Sequence, residues 1–69
     1  MRLSTRNQLT GTVTSIEVGS VMTIVKVDIG GGQQVTASVT KDAVEELGLA
    51  VGSPVTALIK STEVMLGVD

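Results

Sequence analysis

The chain contains no cysteine, no histidine and no aromatic residue. Without cysteine it can form neither a disulfide nor a thiolate metal site. Without histidine as well, a zinc, copper or haem centre has almost no ligands to use. The missing Phe, Trp and Tyr remove the ring faces on which single-stranded nucleic acid stacks. Basic residues are also scarce: five Lys and Arg stand against seven Asp and Glu, for a formal net charge of −2. General nucleic-acid affinity rests on many cation–phosphate contacts, so the charge argues against that partner too. No apolar run reaches the roughly 18 residues a membrane helix needs. Met1-Arg2-Leu3-Ser4 leads into polar residues, not into an apolar signal-peptide core. The missing cysteine fits a cytosolic protein, and the charge, the absent rings and the absent apolar run argue against a nucleic-acid or membrane partner.

The same gaps weigh against an enzyme. General bases and nucleophiles reduce to carboxylates, lysines and hydroxyls. Glu17, Glu45 and Glu46 have no visible partner that would tune them, and read as solvated surface.

What is present is a short, apolar, β-rich chain. Its 69 residues make one domain, 1–69, and 42% of them are hydrophobic. A chain this size buries only about 60% of its unfolded surface, so its own core is marginal. With disulfides and metals removed, oligomerisation is the remaining supplement. The apolar excess is expected to cover surface that neighbouring subunits bury.

Leu9, Gly11 and Val13 alternate with Thr10, Thr12 and Thr14, the period of a half-buried strand. The phase then slips to Ile16 and Val18, which predicts a bulge near Thr14-Ser15. Gly19-Ser20 reads as a turn and Val21 to Ile29 as a second strand rich in β-branched residues. Gly30-Gly31-Gly32-Gln33 could cradle a phosphate only if a helix followed; the strand pattern of Gln34 to Val39 makes it a hairpin turn. Thr40 to Gly48 reads as a short helix, with Thr40 as cap, Gly48 as left-handed stop and Val44 and Leu47 facing inward. After the Gly52-Ser53-Pro54 turn, Val55 to Ile59 and Val64 to Val68 read as two further strands. The expected fold is mainly β: a small five-stranded, oligonucleotide-binding (OB)-like barrel with one short helix.

Two polar stretches stand out. "STRNQLTG" sets Arg6 beside Ser4 and Thr5; "IKSTEV" sets Lys60 beside Ser61 and Thr62. Taken singly, each is an ordinary turn in which hydroxyls satisfy nearby backbone groups. Taken together, they can converge, since the first strand of a small barrel often lies near the fourth or fifth. The combined inventory is a guanidinium fork, an ammonium and several hydroxyls, with no carboxylate among Ser4–Asn7 or Lys60–Thr62. Donors without acceptors suit a fully deprotonated oxyanion such as molybdate, tungstate or sulfate. Charge-assisted hydrogen bonds contribute roughly 1.5–3 kcal/mol each, so a handful can hold a small dianion without a metal.

The stretches "STRNQLTGTV", "GSVMTIVKVDIGGG", "VTKDAVEELGL" and "GSPVTALIKSTEVMLG" together resemble the molbindins, free-standing forms of the molybdate-binding domain called Mop or TOBE. The resemblance covers nearly the whole chain. It implies a cytoplasmic protein that stores or buffers molybdate or tungstate and assembles as a hexamer, a trimer of dimers. It implies an anion site between subunits, with Ser4, Arg6, Lys60 and Ser61 from one chain and the helix start around Thr40 and Ala43 from another. Many relatives carry a serine at the position of Ala43, so one hydroxyl donor is missing here. A second class of site is implied near the three-fold axes, for which the Gly19-Ser20-Val21 turn is the candidate. The competing reading is an oligomerising interaction module whose polar stretches only cap turns.

Overall fold

Four of the five segments that read as strands do pair as strands. The structure, a computed structural model, describes residues 1–69. Its elements are β1 (Asn7–Val18), β2 (Met22–Gly30), β3 (Gln33–Thr40), α1 (Lys41–Leu47) and β4 (Pro54–Ile59), followed by a 3-10 turn at Ser61–Glu63. The strands form one antiparallel sheet in the order β3-β2-β1-β4. No helix is long and apolar enough to cross a membrane.

The bulge falls where the phase slip placed it. Val13 pairs with Val27, but Lys26 pairs with Ser15, which leaves Thr14 as the extra residue. Its hydroxyl donates to the Lys26 carbonyl at 3.3 Å and accepts from the Gln34 side chain at 3.1 Å. The bend keeps both Val13 and Ile16 on the inner face, against Val25 and Val27. The β2–β3 connection is a hairpin turn. Gly31 and Gly32 take φ of 62° and 75°, the left-handed pair that a tight hairpin requires.

Thr40 caps α1 by accepting the Ala43 N–H at 3.1 Å, and Gly48 ends it at φ 63°. Val44 packs on the core as expected, but Leu47 does not: it is 71% exposed. Leu47 shares a helix face with the half-buried Ala43 and Val44, but it sits at the last turn and does not reach the core cluster. Leu47 lies instead beside the apolar grooves that flank β4.

The core is very small. Only Val13, Val25, Val27 and Thr23 are buried. The sheet curls around them without closing, and an apolar groove of about 560 Å³ lies between β3 and β4. The expected fifth strand is absent. Val64–Val68 has the right alternation but pairs with no strand, and Met65, Leu66 and Val68 are at least 91% exposed. A strand exists only where a neighbour supplies the ladder, and no neighbour in this chain does. The fold is thus mainly β and OB-like with one short helix, but a four-stranded half-barrel.

Candidate oxyanion site

The register of β1 on β4 decides where the two polar stretches go. Asn7 pairs with Ile59 as the last rung of that ladder. Arg6 and Lys60 each lie one residue beyond it, on adjacent chain segments at the same end of the sheet. Ser61 opens the 3-10 turn that Lys60 caps in extended conformation, φ −61° and ψ 133°. Ser4, Arg6, Lys60 and Ser61 are all exposed. The β1–β4 register therefore brings the two polar stretches to the same end of the sheet.

The local scaffold is held by side-chain amides. The Asn7 amide donates to the Ile59 carbonyl at 3.0 Å, across 52 residues of sequence. The Gln8 amide donates to the Thr5 carbonyl at 2.7 Å and pins the preceding turn. By contrast, no side-chain hydrogen bond within the chain uses Ser4, Arg6, Lys60 or Ser61. Their donors are uncommitted. Like charges on neighbouring chain segments repel, though only weakly in water. A dianion between them would turn that repulsion into two attractions.

Thr40 and Ala43 are elsewhere. Thr40 pairs with Met22, next to the Val18–Thr23 rung, at the opposite end of β1 from Asn7. The Gly19–Val21 turn is at that end too: Val21 accepts the Lys41 N–H at 2.9 Å, and Gly19 donates to Met22 at 2.9 Å. The Ala43 N–H is already taken by the Thr40 hydroxyl. That hydroxyl still has its own hydrogen to donate. Within one chain, then, the stretches that carry Ser4 and Arg6, and Lys60 and Ser61, leave the sheet at the Asn7–Ile59 end of the β1–β4 ladder, whereas Thr40 and Ala43 lie at the opposite end of β1.

Sequence reasoning gave no role to Asn7 or Gln8. Asn7 stood in plain view inside "STRN", but its partner, Ile59, became visible only with the β1–β4 register. The large groove between β3 and β4 is not an anion site. Its walls are Val25, Val27, Val35, Val39, Val55 and Ile59, with no charged residue.

Comparison with known proteins gives the family. The TOBE domain model matches residues 3–66. A Haemophilus influenzae protein named "Probable molybdenum-pterin-binding protein" is 54% identical over the full length of both chains. Molybdenum-pterin-binding protein 2 of Clostridium pasteurianum is 44% identical, over 96% of this chain and 97% of that one. Among solved structures, MopII from Clostridium pasteurianum gives a TM-score of 0.92 at 42% identity, over 97% of this chain and all of that one. The cytoplasmic molybdate-binding protein ModG, with molybdate bound, gives 0.95 at 51% identity, over all of this chain and 49% of that one. The chain belongs to the TOBE domain family and, within it, to the Mop group, the molbindins.

Proposed function

We propose that this protein binds molybdate, or tungstate, in the cytoplasm and serves to store the anion or hold its level steady. The observation that carries the reading is the Asn7–Ile59 rung, which sets Arg6 beside Lys60 among uncommitted donors. Arg6 and Lys60 neutralise the dianion, and Ser4 and Ser61 fix its orientation. The names of the relatives, molybdenum-pterin-binding and molybdate-binding proteins, support the same ligand. Nothing in this mechanism makes or breaks a bond, and no cofactor is needed beyond the anion itself.

The anion sits between copies of the chain. Thr40 and Ala43 are at the wrong end of their own sheet to reach Arg6, so a second copy supplies them. The assembly is a homo-oligomer, a hexamer built as a trimer of dimers. The apolar groove and the exposed Val64–Val68 segment support association. They also favour the second reading, an oligomerising interaction module that binds no anion.

Calorimetric titration with molybdate, in excess sulfate, separates the two readings. Saturable heat that Arg6→Ala abolishes supports the oxyanion protein. A thermal midpoint that rises with molybdate would show binding linked to folding or assembly. No heat, and a native mass spectrum unchanged by molybdate, would leave the interaction module.

A further inference from the structure

Asn7 and Gln8 are successive residues of β1, so their side chains leave on opposite faces. Each nevertheless ends on the same kind of target. Gln8 donates to the carbonyl of Thr5, the peptide unit that leads into Arg6. Asn7 donates to the carbonyl of Ile59, the peptide unit that leads into Lys60. Both cations of the proposed site thus grow from a peptide plane that a neighbouring amide holds by its oxygen.

A trans peptide is rigid and planar, with N–H and C=O on opposite sides. Fixing the Thr5 and Ile59 carbonyls therefore also fixes the N–H groups of Arg6 and Lys60. Those groups point away from the tethering amides, and neither donates to another backbone group. The tether sets the start of each cationic side chain and aims one free backbone donor beside it. Arg6 and Lys60 are both exposed and outside regular strands, and the tethers add to the restraints already on Lys60, the Ile59 rung before it and the Glu63 N–H that donates to its carbonyl.

We propose that Asn7 and Gln8 are the positioning residues of the oxyanion site, one for each cation, acting through the peptide planes before Lys60 and Arg6. The inference rests on the oxyanion reading above. It assigns the amides no contact with the anion.

The test uses Asn7→Leu and Gln8→Met, which nearly keep side-chain volume and remove the donor. For each variant, molybdate affinity is measured by calorimetry and the thermal midpoint is measured without anion. Each single variant should weaken molybdate binding about five- to tenfold, the weight of one lost hydrogen bond, and the double variant more than either. The anion-free midpoint should move little for Gln8→Met, because Gln8 is exposed. Gly31→Ala, in the hairpin, should lower the midpoint and keep wild-type affinity, which separates positioning from general destabilisation. If Asn7→Leu does not fold, Gln8→Met alone decides. Wild-type affinity in the folded variants would overturn the positioning role and leave the oxyanion reading intact. Absence of molybdate heat in the wild-type protein would overturn that reading, and this inference with it.

Discussion

Gly11 lies against the carbonyl oxygen of Asp28: a Cβ at position 11 would overlap that oxygen and come within 2.7 Å of the Val27 side chain. The close approach lies where the β1–β2 ladder begins, at Thr12–Asp28, just before the Thr14 bulge. The obstructing atom is backbone and cannot swing aside. Gly11→Ala should therefore cost about 1–3 kcal/mol, as overpacking does. In a domain this size each kcal/mol lowers the thermal midpoint by about 4–8 °C. A midpoint within a degree of wild type would mean that the two strands part freely.

Thr23 presents the opposite case. It is completely buried, and its hydroxyl has no hydrogen-bond partner. Burying an unpaired hydroxyl costs about 1–3 kcal/mol. Thr23→Val keeps the shape and removes the hydroxyl, so it should stabilise the fold by about 1 kcal/mol in urea unfolding. A destabilised variant would reveal a partner for that hydroxyl in the assembled protein.

The Thr40 hydroxyl holds the first turn of α1 through the Ala43 N–H. Thr40→Ala should cost about 1 kcal/mol, and Thr40→Ser should keep most of it. Hydrogen exchange at the Ala43 amide is the direct probe. It should quicken in the alanine variant and stay slow in the serine one.

The Val64–Asp69 segment carries three large apolar residues that are at least 91% exposed. Its removal should shift the native mass spectrum towards smaller assemblies. Leu66→Glu should do the same with the full chain length kept. An unchanged assembly in both would place the subunit contacts elsewhere.

Several features of the fold were legible because their causes are local. The slip from Val13 to Ile16 marked the bulge. Gly31-Gly32 marked the hairpin, Thr40 the cap and Gly48 the helix end. Two readings failed for a shared reason. Leu47 had the spacing of an inward residue, and Val64–Val68 had the alternation of a strand. Spacing states what a segment could bury, not whether a surface waits to receive it. The helix offers the core one contact, through Val44, and the tail finds no free strand to pair with in its own chain.

The site divides in the same way. The sequence by itself determined which chemistry was available: donors around Arg6 and Lys60, no carboxylate among them, and no thiol, imidazole or ring in the chain. It also determined the strand periods and turns, since those follow from side-chain sterics within a few residues. Only the tertiary structure decided that Asn7 meets Ile59, that the two cations share one end of the sheet, and that Thr40 and Ala43 lie at the other. Strand register is a long-range choice. It is made by burying Val13, Val25 and Val27 together, because a slip of one residue would turn those side chains to water.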